Sequence, residues 1–327
     1  MTILSDKKPE NARELHVSDL HDGQRIDNFL IAQLKNVPRS HIYRLLRTGQ
    51  IRVNKGRKKP TYRMVTGDAV RLPPQLDIPT ASTPHVAPPA TAAKRLADNI
   101  LFEDSGLMVI DKPSGMAVHG GSGLSFGVIE TLRAHLPQAR FLELVHRLDR
   151  ETSGCLMVAK KPSVLKKLHD DLRGDGVDKR YIALVKGRWR EEQRSVDLPL
   201  KKNVLQSGER VVRIDREGKP SLTLFRVIER FAEATLVEAI PKTGRTHQIR
   251  VHAASLGSPI AGDEKYGDAL FSQQMRAFGV KRLFLHAAQL SFVLPPEAQQ
   301  IIVTAPLEHG LEMALDKLRK TGAGSGT

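Results

Sequence analysis

His146-Arg147-Leu148-Asp149-Arg150-Glu151-Thr152-Ser153-Gly154 interrupts two short apolar runs, Phe141-Leu142-Glu143-Leu144-Val145 before it and Cys155-Leu156-Met157-Val158-Ala159 after it. Each run has the length and residue types of a strand. The charged nonapeptide is therefore expected to be a loop presented by a sheet, the kind of place where sites are built. Within it Asp149 lies between Arg147 and Arg150, and cations this close favour the charged form of a carboxylate. On residue types alone the string fits equally well a solvated turn whose surface ion pair is worth little.

The chain around this loop is 327 residues long, enough for one substantial domain plus a smaller one. It carries 51 Lys plus Arg against 36 Asp plus Glu, a formal net charge of +15, with a pI near 10.0. Such an excess points to a polyanionic partner, nucleic acid or an anionic membrane surface. No apolar run approaches the roughly 18 residues a spanning helix needs, and no basic amphipathic helix with aromatic anchors is evident. Met1 to Leu15 is polar without an apolar core, so no secretory signal is read and a cytoplasmic location is expected. The single cysteine, Cys155, excludes an internal disulfide and a Cys-rich zinc site, and reads as a buried structural thiol.

In chain order, residues 1–14 read as a tail and residues 15–75 as a small basic domain. Ile26, Phe29, Leu30 and Leu34 share a helical face; after Pro38, Ser40 is expected to cap a second helix closed by Gly49, with Ile42, Leu45 and Leu46 inward and Arg44 and Arg47 outward. Short strands are expected at 51–54 and 69–72. From Lys35 to Arg63 there are ten Lys or Arg and no Asp or Glu. Arg39, Arg44, Arg47, Arg52, Lys55, Arg57, Lys58 and Lys59 are the candidate contacts to a phosphate backbone, giving salt-dependent binding. Residues 76–98, rich in Pro, Ala and Thr, read as a semi-extended linker.

A larger domain is expected over 99–320, with residues 321–327 a flexible tail. Strands are read at 100–104, 107–113, 180–185, 222–229, 235–240 and 283–293, and helices at 125–136 and 161–173. No regular helix separates consecutive later strands, so the fold class is α+β with a mixed, mainly antiparallel central sheet flanked by helices. The piece His119 to Gly123 lacks the Gly-Lys-Ser/Thr of a phosphate-binding loop. His247 and His252 are five apart with no acidic residue at a helical ligand offset, so no metal is expected.

The nonapeptide resembles, letter for letter, the His-Arg-Leu-Asp-x-x-Thr-Ser-Gly motif of the pseudouridine synthases of the RluA family. Further matches fall in order at 106–115, Lys179-Arg180-Tyr181, Thr243 to His252 and Leu285-His286-Ala287. Residues 23–72 resemble an S4 RNA-binding domain. The resemblance implies a pseudouridine synthase fold with an S4-like module, and isomerisation of uridine to pseudouridine in 23S ribosomal RNA or a large-subunit precursor, without cofactor or metal, by a chain expected to act as a monomer away from membranes. It implies Asp149 as the catalytic carboxylate, Arg245 paired with it, and Tyr181 against the target base. Arg147 would enter the space left by a flipped nucleotide, with His146, Leu148, Thr152 and Leu285 also lining the substrate site. Two alternatives stay open: a non-catalytic RNA-binding or ribosome-assembly factor, and a synthase acting on tRNA.

Overall fold

The computed structural model describes residues 13–34, 37–74, 88–120, 126–204, 210–294 and 299–323, and the chain divides into two compact units, Met1–His85 and Val86–Thr327. In the first unit β1 (Glu14–His16), α1 (Ile26–Gln33), α2 (Arg39–Thr48), β2 (Arg52–Val53) and β3 (Ala69–Arg71) enclose one small core. Glu14 opens a strand that pairs antiparallel with β3, so the part of the expected tail that is described belongs to the sheet. The apolar spacing acts as read: Ile26, Phe29, Leu30, Leu34, Ile42, Leu45 and Leu46 are all buried. The cap differs. α2 begins at Arg39 with Pro38 as its N-cap, placing Ser40 inside the first turn, while Gly49 closes the helix in the left-handed region at φ 72°.

In the second unit α3 (Ala90–Ala97) replaces the C-terminal part of the expected linker. Its alanines are strong helix formers, Pro89 caps it, and Leu96 is fully buried. Residues 75–87, which include the rest of that expected linker, lie outside the described residues. There follow β4 (Ile100–Glu103), β5 (Leu107–Lys112), α4 (Val128–His135), β6 (Glu143–Leu144), β7 (Ser153–Ala159), α5 (Pro162–Arg173), β8 (Asp178–Lys186), β9 (Gln193–Asp197), β10 (Leu200–Val204), β11 (Arg210–Ile214), β12 (Leu222–Arg230), β13 (Ala234–Pro241), α6 (Gln248–Ser255), α7 (Ala269–Ala277), β14 (Leu285–Val293), β15 (Gln300–Thr304) and α8 (His309–Ala323). Among the described residues, β1, β9, β10, β11, β15, α7 and α8 were not legible as elements, and α8 runs on to Ala323 where a tail was expected from residue 321. Residues 121–125, the rest of the glycine-rich piece, lie outside the described residues.

The main sheet runs β4-β5-β7-β14-β8-β13-β12-β9, with β15 and β6 pairing to β14 and β7. Every named pair is antiparallel except β7–β14, which is parallel with His286 opposite Ser153 and Ala287 opposite Gly154. The all-buried β7 lies near the centre and carries the motif loop at its N-terminal end. Gly154 makes that approach possible: its φ is +105°, and a Cβ there would lie 2.3 Å from the Ala287 carbonyl oxygen. Both the left-handed backbone and the missing side chain are required.

Gly154→Ala should therefore lower stability by about 3 kcal/mol or more, strain and clash acting together. Gly187→Ala, at φ +86° with open space around its would-be Cβ, should cost only about 1–2 kcal/mol. Equal losses in thermal or denaturant unfolding would contradict this reading of the β7–β14 seam.

Candidate active site

The loop from Val145 to Thr152 is pinned from several sides before any catalytic group is considered. The Val145 amide donates to the Met157 carbonyl, and the Met157 amide donates to His146 Nε2 at 3.1 Å. Burial lowers the His146 pKa to about 4, so the ring stays neutral and accepts that bond. His146 thus anchors the loop to β7. Leu148 is buried against Ile110, Val128 and Leu156, and Thr152 is buried behind the turn that its amide closes on the Asp149 carbonyl. Leu285 lies in the core of the other flank. All three side chains are buried.

The far side of the loop is held by Lys112. Its side chain is fully buried, and Nζ donates to the carbonyls of Pro113, Met116 and Arg150 at 2.8–3.0 Å. Burial pulls its pKa down to about 7, while Glu151 and Asp149 pull it back up. Arg150 Nε donates to the Gly115 carbonyl, and the Gly115 amide donates to the Arg150 carbonyl. Arg150 is therefore a clip between two loops, while Arg147 is exposed on the motif loop itself.

Asp149 remains 19% exposed at its side chain. The arginine that reaches it is Arg250, on α6, with Nη1 3.4 Å from Oδ2. Arg245 does not make this pair. It lies before α6, exposed, donating from Nε to the Pro220 carbonyl beside Lys201, Lys202 and Lys219. The reason is register: α6 begins at Gln248, whose side chain is buried and receives the Arg245 amide, so Arg250 is carried inward and Arg245 is left outside.

Arg250 also forms a two-pronged pair with Asp263, Nε to Oδ2 at 2.8 Å and Nη2 to Oδ1 at 2.7 Å. Asp263 is 1% exposed at its side chain and accepts the Lys265 and Tyr266 amides as well. Burial opposes its charge, but Arg250 and these amides hold its pKa below the ordinary carboxylate value. A planar fork fits Asp263 in two bonds and still turns an Nη1–H toward Asp149, an arrangement lysine lacks. Because that remaining contact is long, Asp149 is oriented without being fully neutralised.

His247 faces this carboxylate, and Tyr181 senses its charge. His247 Nε2 is 3.7 Å from Asp149 Oδ1. Tyr181, on β8 opposite Ala287 and Ala239, is half-buried between the two main apolar clusters. Burial raises its hydroxyl pKa and the Asp149 charge raises it further, so it keeps its proton. His252 is fully buried, its ring between Thr223 Oγ1 and the Leu198 carbonyl, which makes it a strut. Lys112, His247, Arg250, Asp263 and Tyr266 escaped the sequence reading; for Arg250 the signal was its place among Ile249, Val251 and Ala253 on the helix.

In the first unit a cleft of about 650 Å³ is lined by Arg44, Arg47, Arg57, Lys58 and Lys59, with Tyr43 and Pro60. Lys58 lies over the Tyr62 ring at 4.5 Å. Arg52 donates to the Gly49 carbonyl, and Lys55 is in an exposed left-handed turn with Asn54. Arg39 is the first residue of α2.

Comparison with known proteins agrees with this geometry. Residues 106–255 match the RNA pseudouridylate synthase family and residues 24–70 the S4 domain. The chain is 56% identical over 299 residues to the ribosomal large subunit pseudouridine synthase C of Escherichia coli K12, covering 91% of this chain and 93% of the relative. It is 52% identical over 312 residues to the protein of that name from Haemophilus ducreyi, covering 94% and 96%. Among solved structures, human RNA pseudouridylate synthase domain containing 4 aligns with a TM-score of 0.59 at 28% identity, over 70% of this chain and 96% of that one. Sequence, fold and relatives converge: the chain belongs to the RNA pseudouridylate synthase family and carries an S4 domain in its N-terminal unit.

Proposed function

We propose that this chain isomerises specific uridines to pseudouridine in 23S ribosomal RNA, with Asp149 as the nucleophile toward a flipped-out nucleotide. The observation that carries the reading is one partly exposed carboxylate set between a buried arginine and a histidine. The large-subunit relatives support the choice of RNA. In the reaction the N1–C1′ bond breaks, the ring turns, a C5–C1′ bond forms, C5 loses its proton and N1 takes one up, so atoms balance without an added reactant. A carboxylate can hold the departing fragment covalently while the other turns. The exposure of Asp149 suits that task, and Arg250 leaves it reactive.

The target uracil has to leave its stack, at a cost of a few kcal/mol. Arg147, exposed on the motif loop, enters the vacated space and stacks its guanidinium on neighbouring bases. The protonated, half-buried Tyr181 provides a flat apolar ring with a hydroxyl for the base. The basic cleft of the N-terminal unit binds backbone phosphates and raises the effective concentration of RNA at the catalytic unit. Among the described residues no helix is long and apolar enough to cross a membrane, and a ribosomal RNA substrate supports the cytoplasm as the place of action.

Asp149→Ala should abolish the pseudouridine-dependent reverse-transcription stops in carbodiimide-treated 23S RNA, with a rate loss of at least about 10³-fold. Identical maps from wild type and variant would favour a non-catalytic RNA-binding factor, and modified tRNA in place of 23S RNA would move the substrate. Replacing Arg44 and Arg47 together by Ala should weaken RNA binding and flatten the log K against log salt slope by about 0.7–0.9 for each phosphate no longer neutralised. An unchanged slope would remove the cleft from the RNA interface.

A further inference from the structure

His247 takes no step in the reaction just described, yet its backbone and both ring nitrogens are tightly placed. It precedes α6 with φ 53° and ψ 20°, the left-handed region that side-chain-bearing residues avoid. Its ring stands edge-on to Tyr266, centroids 5.5 Å apart, with Nδ1 2.7 Å from the Tyr266 hydroxyl. That hydroxyl oxygen accepts the backbone N–H of Val212, on β11, at 2.9 Å. Val212 packs with Leu200 and Val251, and Tyr266 lies against the same cluster, which seats the β10–β11 hairpin on α6.

The protons of this chain follow from the network. With its oxygen receiving the Val212 N–H, the Tyr266 hydroxyl directs its own hydrogen to His247 Nδ1. The neutral imidazole then carries its proton on Nε2, the nitrogen that faces Asp149 Oδ1 at 3.7 Å. We propose that His247 is a positioning residue for Asp149: the Val212–Tyr266–His247 chain fixes the Nε2–H tautomer, aims that N–H at Oδ1, and ties the carboxylate's orientation to the seating of the β10–β11 hairpin. The inference deepens the function proposed above and rests on it.

The division of labour at Asp149 is then complete, with Oδ2 facing Arg250 and Oδ1 facing His247. Burial lowers the His247 pKa and the Arg250 and Lys265 charges lower it further, while Asp149 and Asp263 oppose them. The ring is therefore neutral at pH 7. On acidification it becomes a second cation against the carboxylate and weakens its attack.

The test uses the full chain and a 23S RNA fragment containing a site that the wild type modifies and Asp149→Ala does not, so failure of the underlying function would show first and separately. His247→Ala should lower the single-turnover rate about 30-fold with RNA affinity held within about twofold, since a small misplacement of the reacting group is costly. His247→Gln, whose amide N–H can reach Oδ1, should recover about a third or more of the wild-type rate. Tyr266→Phe, which releases Nδ1, should fall between them. The wild-type rate should fall on acidification below the ordinary imidazole range, since burial lowers the His247 pKa, and the His247→Gln rate should lose that imidazole-dependent limb. A His247→Ala rate within about twofold of wild type, a Gln variant as slow as the Ala variant, or superimposable pH profiles for wild type and His247→Gln would each overturn the assignment. If His247→Ala does not fold, the rate and pH profile of His247→Gln decide alone.

Discussion

One guanidinium shared unequally by two carboxylates is the constraint on which the catalytic unit depends. Arg250 gives two short bonds to Asp263 and one long one to Asp149. A buried arginine and aspartate are costly to desolvate, and the pair is tolerable only because its geometry is two-pronged and the spare Asp263 valences are filled by backbone amides. The residual donor then addresses a carboxylate that still sees solvent. Had Asp149 taken the close pair, it would be the quenched partner. The inequality of the distances is therefore what leaves a reactive oxygen at the surface.

That inequality can persist only if the Asp149 loop and α6 are both fixed. The loop is fixed by backbone-level contacts: the His146 bond to the Met157 amide, the Lys112 bonds to three carbonyls, and the Arg150–Gly115 clip. Beneath it, Gly154 lets β7 and β14 pair closely in the single parallel step of the named sheet pairs. α6 is fixed by Gln248, which bonds Thr243, Leu222 and Thr223 from a buried position, and by the His252 strut. Much of the polar residue content around the site thus serves geometry, and Asp149, Tyr181 and Arg147 are the groups we propose for the RNA.

The sequence made the motif loop legible because its charge breaks two apolar runs, and it made the first unit's helices legible because Ile26, Phe29, Leu30, Ile42, Leu45 and Leu46 keep a helical period. It did not disclose which arginine meets Asp149. Arg245 and Arg250 share one basic stretch, and the choice depends on where the helix starts, a boundary set by a buried glutamine that propensity cannot see. Lys112 looked like an ordinary strand residue because its three acceptors come from loop segments that no local pattern brings together. The helix at 90–97 was hidden by the prolines before it, which masked an alanine-rich run. His146, Leu148, Thr152 and Leu285, proposed by position in a motif, also have anchoring or buried places in this structure that the motif by itself does not reveal.

The two units divide the work by physics as well as by sequence. A cleft lined by Arg44, Arg47, Arg57, Lys58 and Lys59 offers a polyanion attraction that is long-ranged and salt-sensitive, whereas the contacts around Asp149 are short-ranged and partly desolvated. The most direct measurement of the central claim compares Arg250→Lys with Arg245→Lys in single-turnover pseudouridine formation, normalised to folded protein. A lysine at 250 cannot hold Asp263 and Asp149 together, so that rate should fall about 10²-fold while the Arg245→Lys rate stays within about threefold of wild type. The reverse order, or equal losses, would contradict the account.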